Sequence, residues 1–336
     1  MSGRFVLSRG GHELLALPQD GEAALRALNL YQPQRGLAKR VAGLLRGVAR
    51  FGLHRVLLPK NNADVVNDEG STGLLPAGVD RESVGILFGS AEHRVFRAVL
   101  SYCNGDQWEV GKLAAGSDGA AMLEREAAVM RDIGSVVPEI PELLGLESLE
   151  SSRLLRMPYL SGHCLEPGDV EPVLALLQSW LSDEVAKPLR SFPEWPAITK
   201  GLHGLPGHEQ WSERLAVLPL RPSVRHGDLA RWNLLRTHDG RLKVLDWEWG
   251  ERHGLPGIDL VHYLAQDFRL VQRLEPAKVV EETVKALESS VWSAYLEQSG
   301  WNGHARELVL ACLAFKQGAG HQDNEEILRV AVAACL

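Results

Sequence analysis

The sequence predicts an α+β protein of two lobes, a small antiparallel β-sheet lobe followed by a larger, mostly helical one. Three observations carry this expectation. Between residues 83 and 115, three short runs rich in apolar and β-branched residues alternate with turn formers. Beyond about residue 170, helical patterns dominate. A chain of 336 residues, 45% hydrophobic and 24% charged, is also long enough to bury two cores. The boundaries read as an N-terminal extension over 1–75, a small lobe over 76–158 and a helical lobe over 159–336.

In chain order, a polar opening leads to helical patterns near 22–30 and 37–50, then the short apolar piece HRVLLPK. NNADVVNDEGSTG is rich in turn formers and reads as a linker. SVGILFG, RVFRAVLSY and WEVGKLA are the three expected strands, and Asn104-Gly105 between the last two is a hairpin signal. Type I′ turns need positive φ angles, which Asn and Gly tolerate. AAMLEREAAVMRDI predicts a helix, VVPEIPELLG a Pro-rich connector and SRLLRMPYL a further strand ending at Ser161-Gly162. The helical lobe is predicted from VLALLQSWLSDEV, PAKVVEETVKALESSVWSAYLEQ and ARELVLACLAF. One compact strand-loop-strand region, 224–249, interrupts it.

Composition excludes several classes of function. A net charge of −7 gives no overall basic character, so neither a nucleic-acid nor a membrane partner is expected. The four cysteines, Cys103, Cys164, Cys312 and Cys335, form no C-x-x-C pair, which argues against a zinc site or a disulfide framework. The opening lacks a basic segment followed by an apolar run, and no stretch approaches a membrane span. A reduced, cytoplasmic enzyme is the expectation.

The chemistry concentrates in RHGDLARWNLLRTHDGRLKVLDWEWG, residues 225–250. Asn233 follows Asp228 by five residues, and two short strands around Asp239-Gly240 deliver Asp246 thirteen residues later. Phosphoryl transfer to a hydroxyl needs an acceptor beside the nucleophile and oxygen ligands for Mg²⁺ on the phosphates. Asp228 suits the first role, as base for the hydroxyl; Asn233 and Asp246 suit the second.

HGDLARWNLL and VLDWEWG resemble the signature of the aminoglycoside phosphotransferase and choline kinase family, over about residues 83–265. The resemblance implies a protein-kinase-like fold and transfer of the ATP γ-phosphate, with Mg²⁺, to a hydroxyl of a small molecule. A pseudokinase module that keeps the fold without turnover is the alternative. A kinase-like lobe should supply a lysine on its third strand and a glutamate on the next helix. Lys112 ends that strand on the face of Trp108 and Val110, and Glu126 falls within the apolar stripe Met122, Val129 and Ile133. A carboxylate there needs a partner, and Lys112 is the natural one; the alternative is that Glu126 lies at the stripe's edge and reaches solvent. Ser90, in the turn Gly89-Ser90-Ala91, is either part of a backbone cover for the phosphates or of a plain solvent turn. LLRMPYLSG resembles the family's inter-lobe hinge. By that resemblance the carbonyl of Pro158 and the N–H of Leu160 meet the adenine edge, with Met157 and Tyr159 flanking the base. Asp259 in GLPGIDL resembles a family aspartate that ties the catalytic loop to a helix, and His226 is expected to brace the loop rather than act as a base. The remaining histidines read as surface or core.

Overall fold

Strand pairing organises the N-terminal half of the chain. In a computed structural model, the described residues are 4–9, 12–33, 36–61, 79–89, 97–149, 152–320 and 327–331. They divide into two compact units. One comprises residues 1–134, 138–163 and 237–243; the other comprises 135–137, 164–236 and 244–336. The architecture is mixed α+β, an N-terminal antiparallel sheet followed by a mostly helical region.

In the first unit, β1 (Arg4–Arg9), β2 (His12–Leu17), β3 (Lys60–Asn61), β4 (Gly85–Phe88), β5 (Arg97–Asn104), β6 (Gln107–Ala115), β7 (Gly145–Leu149) and β8 (Ser152–Pro158) form one eight-stranded sheet. Its order is β3-β1-β2-β4-β5-β6-β8-β7, and neighbouring strands run antiparallel. Helices α1 (Gly21–Leu30), α2 (Gly36–Arg50), α3 (His54–Leu57) and α4 (Gly116–Ile133) complete the unit. Asp20 caps α1 by accepting from Ala23 N at 2.8 Å, a bond of about 1 kcal/mol in such positions.

The register decides what shares a face with Lys112. Directly paired residues point the same way, and the direction alternates along each strand. The row Gly85, Ser101, Val110, Met157 and the row Leu87, Val99, Lys112, Leu155 therefore line one face of the sheet. Helix α1 lies on that same face. A Cβ built on Gly85 would stand 2.2 Å from the Ala27 Cβ, so only glycine admits the helix this close. Ala24, Ala27 and Leu28 of α1 pack with Phe5, Leu15 and Leu17 in one core. A second core holds Val6, Ile86, Leu100, Tyr102, Leu113 and Leu154. Buried Glu109 ties β6 to β8 through a two-pronged ion pair with Arg156, both arms 2.7 Å, and also accepts from Tyr102 and Asn104.

The second unit contains α5 (Val170–Ser179), α6 (Trp195–Leu202), α7 (His208–Ala216), α8 (Ile258–Gln266), α9 (Pro276–Leu287), α10 (Ser293–Ser299) and α11 (Ala305–Gly318). Short strands Ser223–Arg225 and Glu251–Gly254 pair antiparallel and frame the loop that starts at His226. Trp180, Trp247 and Trp301 lie in its core.

Four local expectations change. The polar opening is a β-hairpin, β1–β2, whose alternation is hidden by a register shift between Leu7 and Ser8. The segment after the Pro-rich connector adds β7, which pairs with β8 along its whole length. The helix expected from VLALLQSWLSDEV stops at Ser179, and the one expected over 276–298 breaks between Leu287 and Ser293 into α9 and α10.

Candidate active site

The second unit carries a loop whose every turn is pinned. Gly227 has φ +85°, and its backbone lies so close to Arg225 and Trp249 that a Cβ would stand 2.6 Å from Arg225 Nη1 and 2.7 Å from the Trp249 Cβ. At the entry to the loop, Arg225 Nε donates to Glu194 Oε1 at 2.6 Å and Arg225 Nη1 to the Trp249 carbonyl at 3.0 Å. Asp259, buried in the first turn of α8, accepts from the backbone N–H of His226 at 2.6 Å and of Gly227 at 2.8 Å. One carboxylate thus satisfies two successive donors that the turn would otherwise strand.

The His226 ring links two chain segments. Its Nδ1 accepts from Asp228 N at 3.2 Å and its Nε2 lies 2.9 Å from the Leu245 carbonyl. A neutral imidazole protonated on Nε2 makes both bonds at once. The edge of the ring meets Trp247 at a centroid distance of 4.8 Å. His226 therefore couples Asp228 to the residue that precedes Asp246. Leu245 N also donates to the Asn233 carbonyl at 2.8 Å, which holds the Asn233 and Asp246 segments side by side.

Asp228 projects from this frame with Oδ1 2.8 Å from His262 Nε2. Burial pushes its carboxyl up, but the hydrogen bond and charge of His262, with Lys316 and His226 beyond, outweigh burial and bring it down to about 2. Burial and then the Lys316 charge hold His262 below the usual imidazole range, against the opposing pull of Asp228. At neutral pH the pair is an ionised carboxylate accepting from a neutral imidazole. Lys316 of α11 is itself buried and donates to the Gly227 carbonyl, and burial lowers its ammonium from the ordinary range.

Asn233 ends a 3₁₀ turn, and its Nδ2 donates to the Asp228 carbonyl at 2.9 Å. With the amide NH₂ committed there, the oxygen Oδ1 is the group left for a ligand. Asp246 has φ +73°, a left-handed backbone that costs a non-glycine residue about 1–2 kcal/mol. Such strain concentrates at functional positions. Asn233 and Asp246 form an all-oxygen pair, the donor type that Mg²⁺ takes with one or two carboxylates plus phosphate and water. No group of three or more His, Cys, Asp or Glu that could hold a metal occurs among the described residues.

In the first unit, Lys112 Nζ stands 2.5 Å from Glu126 Oε1, and Glu126 is buried on α4. Glu124 faces out and pairs with Arg153 at 3.2 Å. Met157 is buried and Pro158 ends β8. Tyr159 N donates to the Trp108 carbonyl at 2.9 Å, and the Tyr159 and Trp108 rings lie under the guanidinium of Arg26 from α1. Leu160 directly follows, half-buried. Ser90 lies outside the described residues.

Sequence reasoning missed His262 and Lys316. By sequence His262 counts among the surface or core histidines, although it stands three residues after Asp259. That i, i+3 spacing on one helix was the available signal, because both side chains must then reach the same loop. Lys316 lies 89 residues from Gly227 in sequence, and no local pattern marks it.

Residues 106–297 match the model of the phosphotransferase enzyme family, APH. The chain is similar to solved structures at low identity. A thermostable mutant of aminoglycoside phosphotransferase APH(4)-Ia is 16% identical over 76% of this chain and 94% of its own, with a TM-score of 0.47. A putative fructosamine-3-kinase from Haemophilus somnus 129PT is 12% identical over 77% of this chain and 92% of its own, with a TM-score of 0.46. Choline kinase LicA from Streptococcus pneumoniae is 14% identical over 70% and 88%, with a TM-score of 0.39. Among curated proteins no sequence relative matches. The family match spans more than half of the chain and includes Asp228, Asn233 and Asp246, so this chain belongs to the phosphotransferase enzyme family.

Proposed function

We propose that the chain transfers the γ-phosphate of ATP to a hydroxyl of a small molecule, with Asp228 as the catalytic base. The observation that carries this reading is the Asp228 carboxylate, ionised and aimed by His262 on a loop whose backbone is anchored by Asp259. A carboxylate so held orients the acceptor hydroxyl and takes its proton as the P–O bond forms. With its pKa near 2 it is a weak base, which suits a loose transition state in which the proton leaves late and positioning matters most.

Asn233 Oδ1 and the Asp246 carboxylate would hold Mg²⁺, which when bound neutralises charge on the phosphates. The backbone strain at Asp246 supports that assignment, because a conformation this costly is retained where a side chain must point one way. Lys112, oriented by Glu126, would contact the α- and β-phosphates. Met157, Pro158, Tyr159 and Leu160 would receive the adenine. The acceptor is an alcohol of the aminoglycoside, choline or sugar type.

The test pairs two variants with two readouts. Asp228→Asn should lower acceptor-dependent ADP release by about 10²–10⁴-fold while Mg-ATP binding, followed by thermal shift, stays within about twofold. Asp246→Asn should abolish the Mg²⁺-dependent part of that shift. Full turnover by Asp228→Asn across a panel of hydroxyl acceptors would refute the assignment of the base.

A further inference from the structure

The segment between α1 and the linker has the wrong surface for a protein of this charge. From Gly36 to Lys60 there are six cations, Lys39, Arg40, Arg46, Arg50, Arg55 and Lys60, and no Asp or Glu, within a chain of net charge −7. The same segment is apolar on two sides. Helix α2 buries Ala42 and Ala49, with Leu45 beside them, against the first core. On a different face, Leu37, Val41, Leu44 and Val48 recur at helical spacing, and Phe51 continues the row. Leu37 and Phe51 are each 78% exposed and Leu44 70%. Helix α3 and its approach add Leu53, Val56 and Leu57, with Val56 81% exposed. Seven of the thirteen large apolar side chains exposed among the described residues fall within these 21 positions.

At 100° per residue, Arg40 falls beside that exposed row, on the side away from the core, and Arg50 lies further round the helix on that same side. Arg46 is turned the other way, donating to the Tyr31 carbonyl, and Arg55 donates to the Gln19 carbonyl. The result is a convex strip of projecting leucines, valines and phenylalanine with Arg40 at its margin and further cations round the helix. A contiguous exposed apolar patch of this kind marks an interaction surface.

We infer that residues 37–57 dock this protein on an anionic lipid surface, lying in the interface rather than crossing it. Three features select that partner. The strip is a convex helix face, suited to a plane of headgroups and acyl chains rather than to filling a groove. Its charges are all of one sign, which complements anionic headgroups. A second copy meeting it would set two segments of the same positive sign against each other, so self-association is electrostatically opposed. No helix among the described residues is long and apolar enough to cross a membrane, which leaves the surface mode. The overall negative charge conceals the site, because the acidic residues lie elsewhere in the chain.

The experiment is co-sedimentation of the full chain with vesicles of phosphatidylcholine alone, or of equal parts phosphatidylcholine and phosphatidylglycerol, at low and high salt. The wild type should partition onto the anionic vesicles at low salt and leave them as salt rises. Because these side chains are exposed, Phe51→Ser/Val56→Ser and Arg40→Ser/Arg50→Ser should melt at the wild-type temperature. Each pair should weaken partitioning by at least tenfold, and the arginine pair by roughly 25-fold at low salt, about fivefold per cation. Failure of the wild type to bind anionic vesicles would overturn the inference, as would binding unchanged in Phe51→Ser/Val56→Ser. Salt-independent association of the wild type with itself, lost in that variant, would assign the strip to a second copy instead. Capture by an acidic protein without vesicle binding would likewise overturn it. Mg-ATP thermal shift on the same variants should be unaltered, which separates this outcome from failure of the proposed activity.

Discussion

Replacing Asp259 by Asn keeps the shape of the side chain and removes half of what it does. In the native loop both carboxylate oxygens accept backbone N–H groups, from His226 at 2.6 Å and Gly227 at 2.8 Å, in a site from which water is excluded. Hydrogen bonds to a charged acceptor contribute about 1.5–3 kcal/mol each. An asparagine can still accept from one N–H, but its NH₂ must then face the other, donor against donor. One charge-assisted bond is lost and one buried N–H is left unpaired, a combined cost of about 2–4 kcal/mol. Against a typical total of about 5–15 kcal/mol, this unit should still fold, with a clear drop in its urea midpoint. Fluorescence is a suitable probe, since Trp247 packs against the His226 ring. Turnover should fall further than stability suggests, because the freed loop carries Asp228 with it. Nucleotide binding measured by thermal shift should change little. If Asp259→Asn unfolds within about 0.5 kcal/mol of wild type and turns over normally, the two hydrogen bonds are not what holds the loop.

Two further perturbations follow from the same frame. Gly227→Ala forces a Cβ into contact with Arg225 and Trp249 at a residue with φ +85°, and should cost at least tenfold in kcat in a steady-state assay, with little change in Mg-ATP affinity. Removing the imidazole with His262→Leu should change the pH profile. The wild-type Asp228 pKa of about 2 lies below the ordinary carboxylate value, so the base stays ionised and its stabilising pairing persists until pH falls towards 2. Without His262 only the raising effect of burial and the weaker cations remain. An acid limb in kcat/KM should then move up, into the range above about pH 4 where the wild type has none. An unshifted limb would show that His262 does not tune Asp228.

What the sequence made legible follows the range of the interaction concerned. Strands β4, β5 and β6 were readable because Asn104-Gly105 sets the register locally, and the parity of Trp108, Val110 and Lys112 then placed all three on one face. The burial of Glu126 beside Lys112 was readable from helical phase on α4. Asp228, Asn233 and Asp246 were readable as a group because 19 residues carry all three. The β1–β2 hairpin was not, since the bulge between Leu7 and Ser8 breaks the alternation that would announce it. The break between α9 and α10 was hidden because the intervening ESSVW lacks proline and glycine. The pairing of His262 with Asp228 spans 34 positions, beyond the reach of any local periodicity. The basic amphipathic segment escaped for a different reason: net charge averages it away against the rest of the chain.

The placement of β1–β3 and α1 bears on how the chain can be cut. The family match begins at residue 106, yet β6 is an interior strand of the eight-stranded sheet, with β5, β4, β2, β1 and β3 beyond it in order. A truncation that keeps only residues from 80 onward would strip β2 from β4 and leave a row of unpaired N–H and C=O groups along a bare edge. It would also uncover the sheet face that Ala27 seals at Gly85. An open apolar edge of that sort recruits other chains. The leading sixty residues therefore act as a sheet terminator. Shortened versions of this protein should therefore keep the segments that carry β1–β3 and α1.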